Sequence, residues 1–562
     1  MEKLFEGDCM KYKDKFQHWL DFAEGEIKSS LTSMSESEIE DAFFRDLVFG
    51  TGGLRGILGP GTNRMNIHVV ARASQGISNY LHSREIGQPS VVIGFDSRLM
   101  SSEFAQVAAG VFAANDIRVY IWHELLPVPT VSYGIRALSA SAGIMITASH
   151  NPAKYNGYKV YGADGCQITT EAATQILSEI DKLDYFEDVH EIGFQEGIEK
   201  GLISYISSTI FSDYIEKVKE QSVLFGDQVD KEVSIVYSPL NGTGLVPVTK
   251  ILADSGYSNV TVVDEQKKPD GNFPTCPYPN PEVEEAMELG LEYCKRIGAD
   301  LLIATDPDCD RCGIAVRDCE NYRLLSGNEV GILLLDYICS QRIAHNKMPD
   351  NPVFIKTIVT TDLAEKIANH YKVETINVLT GFKYIGETIG RLEHLDRKND
   401  FICGFEESYG YLTGAYVRDK DGVNAAFMIC EMYAFYKTKG ISLIEKLNKI
   451  YEEYGFSMNT LHSYQFEGIS GMQQMSSIMA NFRKGLEYIG GKKVLKFEDY
   501  NIGIKGLPKS DVLKFYFEDA SLVIRPSGTE PKLKAYISVT SDEPKAAIDS
   551  EKRMVSDLEK AL

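Results

Sequence analysis

GIMITASHNPAKYNGYKVYGADG, residues 143–165, is the stretch on which the reading of this chain turns. Gly143 to Ala148 form a short apolar run of the kind buried in parallel sheets, and the run empties into Ser149, His150 and a loop rich in Asn, Gly and Lys. In open α/β sheets, ligands sit beyond the carboxyl ends of strands, and Ser149 stands at such an end. Two readings follow: Ser149 is a nucleophile, or it caps a helix that begins at Pro152. A hydrolase elbow is excluded, because G-x-S-x-G is absent and Ala148 and His150 flank the serine.

The same design recurs outward from this point. VVIGFDSR from Val91, VSIVYSPLNGTG from Val233 and NPVFIKTIVTTD from Asn351 each pass from a β-branched run through a loop into a helical pattern. That alternation predicts α/β units with mostly parallel sheets. At roughly 150 residues per domain, 562 residues make about four domains. We place three α/β domains at 1–204, 205–320 and 321–452, and a smaller α+β domain at 453–562. The first carries a helical extension, since MEKLFEGDCMKYKDKFQHWL is amphipathic and lacks a signal peptide's continuous apolar core. No run approaches the ~20 apolar residues of a membrane span. The chain therefore reads as soluble.

A net charge of -22 disfavours nucleic acid and anionic membranes as partners, since both require clustered positive charge. An anionic substrate then needs a local basic pocket. The ten cysteines are scattered singly, unlike a secreted disulfide scaffold, which predicts reduced thiols and a cytoplasmic address.

Three further stretches carry chemistry. In LLIATDPDCDRCG, 301–313, Asp306, Asp308 and Asp310 alternate directly after a strand, and carboxylates so close repel unless a cation or proton neutralises them. An EF-hand is excluded by Arg311 and Arg317 at its sixth and twelfth positions, and hard oxygen donors favour Mg2+. Cys309 and Cys312 form a CxxC with no second pair of zinc ligands to join it, so they read as reduced cysteines. In CGFEESYGYLTG, 403–414, Glu406, Glu407 and Ser408 sit between glycines, and acceptor-only carboxylates suit the vicinal hydroxyls of a sugar; an exposed acidic loop is the other reading. VIRPSGTEPKLKAYI, 523–537, offers Arg525, Ser527, Gly528 and Thr529, a phosphate cradle by composition, with Lys532 and Lys534 beside it. GTGGLRG at 50–56 carries Arg55 and LTGFKYIG at 379–386 carries Lys383; alone, each could be a plain loop.

In this order, the TASHNP, DxDxDR, ExS and RPSGTEP stretches resemble the α-D-phosphohexomutase superfamily over nearly the whole chain. FGTGGLRGILGPGTNRMN, 49–66, is similar to the long bacterial α-phosphoglucomutase branch and its phosphopentomutase kin. The resemblance implies a heart-shaped, four-domain molecule whose signature loops face one cleft. It implies that Ser149 is the phosphorylated nucleophile and that Asp306, Asp308 and Asp310 join it around Mg2+, while Arg311 steadies the phosphate. Glu406 and Ser408 would grip sugar hydroxyls, and Arg525, Ser527, Gly528 and Thr529 would hold the phosphate that is not reacting. His150, Lys159, Arg55 and Lys383 would serve proton transfer and charge stabilisation, Lys159 acting as a base only if its pKa is lowered. The substrate would be glucose 1-phosphate, with glucose 1,6-bisphosphate as intermediate and activator and with closure of the C-terminal domain over the sugar. Mannose or pentose phosphates are the alternatives within the superfamily. An aspartate-nucleophile phosphatase using Asp306, or an inactive sugar-phosphate sensor, are those outside it.

Overall fold

The computed structural model describes residues 2–50, 52–84, 87–466, 468–504, 506–526 and 532–562. It builds four main sheets. The first has six strands, in the order Gly53–Ile57, Tyr155–Gly162, Ala142–Ile146, Ser90–Phe95, Arg118–Ile121, Ile203–Tyr205. The last four run parallel, whereas Tyr155–Gly162 is antiparallel to both of its neighbours. Ala142–Ile146 is buried at every position, as its unbroken apolar run predicts for a strand covered on both faces. The N-terminal extension folds as three helices, Glu2–Phe22, Gly25–Ser33 and Glu36–Phe43. Ser35 and Glu38 close a capping box on the third helix, and Trp19 is buried against the rings of Phe43, Tyr185 and Phe186.

The second sheet has the order Asn321–Leu325, Cys312–Asp318, Leu301–Thr305, Ile235–Ser238, Val260–Val262. Asn321–Leu325 pairs in this sheet, past the boundary drawn at residue 320; the turn at Cys319, with φ of 54°, is a hairpin signal that reads in sequence as a domain start. The third sheet, Glu374–Val378, Val353–Thr357, Phe401–Phe405, Tyr411–Thr413, is parallel except for its last strand. The fourth is wholly antiparallel, in the order Phe456–Gln465, Lys532–Ser541, Ala520–Pro526, Leu513–Tyr516, Lys496–Asp499. Residues of Gly468–Arg483 and Pro544–Ala561 share one apolar core with it, which makes the α+β unit expected at the C-terminus. Among the described residues, no helix is long and apolar enough to cross a membrane.

The chain divides into two compact units. One comprises residues 1–220, 234–314 and 416–427, and the other residues 221–233, 315–415 and 428–562. The excursion at 416–427 brings a short strap from far along the sequence into the first unit.

Candidate active site

In the first unit, Ser149 follows the strand Ala142–Ile146 and is buried, with 3% of its surface exposed. Its φ is 52°, in the left-handed region, and no helix begins at Pro152: the chain turns back at once into Tyr155–Gly162. The capping reading is therefore corrected. The returning strand needs a tight reversal, and the serine takes the strained position in it. Its backbone N–H donates to Thr147 Oγ1 at 2.8 Å. The loop is gripped by Arg98, a buried residue that no motif in the sequence marks. The Arg98 guanidinium donates to the carbonyls of Ser149, Asn151, Pro152 (3.0 Å) and Tyr155 (3.1 Å), and lies 3.4 Å from the Asp96 carboxylate. A planar fork saturating four loop carbonyls fixes a conformation that the loop would not choose alone.

The acidic loop lies against this serine. Ser149 Oγ donates to Asp306 Oδ2 at 2.8 Å and sits 3.1 Å from His150 Nδ1. Asp306 Oδ1 accepts from the backbone N–H groups of Asp310 (3.1 Å) and Arg311 (2.9 Å), so one of its oxygens is held by its own loop and the other by Ser149. Asp306, Asp308 and Asp310 are fully buried and each offers an oxygen within 4.8 Å of the others. Among the described residues, Asp308 Oδ1 and Asp310 Oδ1 are buried without hydrogen-bond partners. Two orphaned carboxylate oxygens converging from three acidic groups are the donor set of a hard divalent cation, so the residues fit Mg2+. Among the described residues no other acidic, His or Cys group has this closeness, and Cys309 and Cys312 are free, buried thiols.

Positive charge surrounds the triad. Lys159 Nζ reaches Asp308 Oδ2 at 2.8 Å and Asp310 Oδ2 at 3.2 Å, and Lys420 Nζ reaches Asp310 Oδ2 at 3.0 Å. Burial pushes Lys159 down, but Asp308 and Asp310 outweigh it and its pKa is raised. The lowered pKa expected of Lys159 as a base is thus corrected: its partners are carboxylates, which hold the proton on. His150 is held well below the usual imidazole range, by burial first and then by Arg311 and Arg55, so it is neutral near pH 7. Asp306 is pushed well above the carboxylate range by burial and by its two acidic neighbours. Arg311 donates to Glu282 and stands 3.9 Å from Asp310, while Arg55, at the exposed rim, donates to Asn151 Oδ1 at 2.8 Å.

The remaining expected residues lie in the second unit. Lys383 is buried in the first turn of the helix Phe382–His394, and the preceding Gly381 N–H donates to Glu406 Oε1 at 3.0 Å, which ties the Lys383 loop to the Glu406 loop. Glu406 is buried, and Ser408 is half-buried on the same turn. Glu407 instead accepts from Thr357 and Thr360, at 3.3 Å each. Arg525 stands opposite Lys534 across two antiparallel strands, and Lys532 shares that face. Like charges directly opposite destabilise a strand pair unless an anion lies between them, and Arg525 Nε is buried without a hydrogen-bond partner among the described residues. Ser527, Gly528 and Thr529 lie outside the described residues.

Four family models match the chain in succession: Phosphoglucomutase/phosphomannomutase, alpha/beta/alpha domain I at 46–187, domain II at 212–320, domain III at 326–454, and the C-terminal domain at 471–553. A phosphoglucomutase of Staphylococcus epidermidis is 37% identical over 539 residues, covering 93% of this chain and 96% of the relative. Among solved structures, a putative phosphomannomutase of Thermus thermophilus superposes with a TM-score of 0.68 at 19% identity, over 92% of this chain and 99% of that one. The open form of pp63/parafusin, a phosphoglucomutase of Paramecium, gives a TM-score of 0.68 at 18% identity, over 92% and 95%. At these identities the two structures speak for the fold.

Proposed function

This chain belongs to the phosphoglucomutase/phosphomannomutase family, and from that premise we propose that it is an α-phosphoglucomutase, interconverting glucose 1-phosphate and glucose 6-phosphate through a phosphoserine at Ser149. The observation that carries the reading is Ser149 Oγ, buried and 2.8 Å from the first of three clustered aspartates, two of which keep an oxygen without a hydrogen-bond partner among the described residues. Asp306, Asp308 and Asp310, with an oxygen on Ser149, would hold Mg2+, which when bound supplies charge neutralisation for the transferring phosphoryl group.

The residues of this chain divide the work. The C6 hydroxyl of glucose 1-phosphate attacks the phosphorus carried by Ser149; the new P–O6 bond forms as the bond to Oγ breaks, giving glucose 1,6-bisphosphate. The bisphosphate reorients, Oγ attacks the phosphorus at C1, and glucose 6-phosphate leaves with a C1 hydroxyl. Ser149 must lose its proton in the second half and regain one in the first. Neutral His150 beside Oγ is suited to that exchange, as is Asp306, the acceptor of the Oγ hydrogen bond. Lys159, Arg311 and Arg55 are assigned to the charge on the transferring group. Glu406 and Ser408 are assigned to the sugar hydroxyls, Lys383 to charge stabilisation, and Arg525 with Ser527, Gly528 and Thr529 to the distal phosphate. A phosphatase with Asp306 as nucleophile is disfavoured, since it leaves no role for the buried Ser149, whose Oγ donates to Asp306 Oδ2. We place the enzyme in the cytoplasm, acting on small sugar phosphates.

A coupled assay for glucose 6-phosphate, with Mg2+ and trace glucose 1,6-bisphosphate, tests this. Turnover stimulated by the bisphosphate and abolished in Ser149→Ala is expected. Equal turnover by the two proteins would sink the phosphoserine, and inertness of the wild type toward glucose phosphates alone would direct the assay to mannose and pentose phosphates.

A further inference from the structure

The strap at 416–427 belongs by sequence to the third matched domain, yet it packs within the first unit, against the acidic loop. Each residue of Arg418-Asp-Lys-Asp421 is held. The backbone N–H of Arg418 donates to Ser132 Oγ at 2.9 Å. Asp419 accepts from Tyr161 OH at 2.9 Å, and Tyr161 lies two residues beyond Lys159 on the same strand. Asp421 accepts from Tyr214 OH (2.9 Å) and Tyr416 OH (2.6 Å), and also from the backbone N–H groups of Val423 and Asn424 (2.9 Å each), which fixes the start of the following helix. The Gly422 N–H donates to the Cys309 carbonyl, in the middle of the acidic loop, at 3.0 Å. Arg418, Asp419 and Asp421 are buried and both aspartates accept hydrogen bonds, which does not describe a solvated charge run.

Lys420 is the residue that this scaffold presents. Its ammonium lies 3.0 Å from Asp310 Oδ2, the oxygen that Lys159 also reaches, while Asp310 Oδ1 has no hydrogen-bond partner. Two ammonium groups on one carboxylate oxygen pin the rotation of that carboxylate and so fix the place of its other oxygen, which lies 3.9 Å from Arg311 Nε. Lys159 divides its contacts between Asp308 and Asp310, whereas Lys420 approaches Asp310 from the strap, beside its neighbour Asp419. We infer that Lys420 is a positioning residue of the metal loop, acting through Asp310, and that the Asp419–Tyr161 contact sets its reach. The assignment rests on the reading of Asp306, Asp308 and Asp310 as cation ligands.

Partners that orient metal ligands typically cost about 10–100-fold in metal affinity or activity when removed. Mn2+ is the probe, its free concentration read by electron paramagnetic resonance in full-length protein. Lys420→Met is expected to weaken Mn2+ binding about tenfold or more, with Lys420→Arg recovering most of the loss. Removing a positive charge beside a cation without any positioning effect would tighten binding instead, so unchanged or tighter Mn2+ binding in Lys420→Met overturns the assignment. Tyr161→Phe, which frees Asp419 and keeps the core volume, is the second variant: weaker Mn2+ binding supports the assignment, and wild-type affinity counts against it even if Lys420→Met does not fold. A wild-type protein that binds no Mn2+ would overturn the metal-loop reading itself. Wild-type binding with unaltered variants would overturn the role of Lys420 alone.

Discussion

Replacing Arg98 by lysine separates the shape of the serine loop from its charge. Lysine keeps a cation for the buried Asp96 carboxylate but loses the planar fork that spans the carbonyls of Ser149, Asn151, Pro152 and Tyr155. If two of the four contacts are lost, at about 1.5 kcal/mol each for a bond from a charged donor, the loop is destabilised by about 3 kcal/mol. That amounts to about a hundredfold faster amide exchange by local opening over residues 146–156, read by hydrogen-exchange mass spectrometry. A displacement of Oγ by about 1 Å costs on the order of a hundredfold in rate. In the coupled assay, kcat should therefore fall by about two decades, while KM for glucose 1-phosphate moves by less than about threefold, because the groups assigned to the sugar and the distal phosphate are untouched. Faster exchange with wild-type kcat would refute the reasoning, since it would show that the loop tolerates loosening without losing the reactive geometry.

Gly422→Ala adds a Cβ that would meet the Cys309 carbonyl oxygen at 2.6 Å, so the acidic loop must shift; kcat is expected to fall by about tenfold or more with the circular dichroism spectrum unchanged. Ser149 sits at φ of 52°, so among inactive variants Ser149→Gly should be more stable than Ser149→Ala by about 1 kcal/mol, seen as slower exchange across the loop. Burial works to raise the Asp362 pKa, but Lys514 and Lys356 outweigh it and hold the carboxyl at about 2 rather than 3.8. Its stabilising contribution is therefore present above about pH 4 and lost as pH falls toward 2. The side chain is a third exposed, so screening leaves about 1 kcal/mol, and the stability gap between wild type and Asp362→Asn should narrow by that amount between pH 5 and pH 2.

The elements that position the site were legible where local pattern and burial agree. The run ending at Ile146, the strand before Asp306 and the strand before Glu406 are buried throughout and each ends at a loop that bears polar groups, so the strand-end rule pointed to the loops of Ser149, the aspartate triad and Glu406. The same rule could have found Arg98, three residues past the strand Ser90–Phe95, but its role depends on carbonyls more than 50 residues away that composition does not reveal. The direction of the Lys159 shift was misread for a related reason: its partners come from another sheet. Arg418-Asp-Lys-Asp421 was invisible, because four charged residues in a row have the composition of a solvated turn, and only tertiary packing buries Arg418, Asp419 and Asp421.

The passage of residues 416–427 into the first unit has a consequence for anyone who would take the protein apart. A fragment cut at the limits of the third matched domain, 326–454, would carry away Lys420 and expose Arg418 and Asp421, while the remaining piece would lose the hydroxyl acceptors of Tyr161 and Tyr214 and the amide that caps the Cys309 carbonyl. Neither piece inherits a complete set of bonds. Dissection, permutation or grafting of this enzyme must therefore treat the strap as a component of the first unit, whatever its place in the linear order.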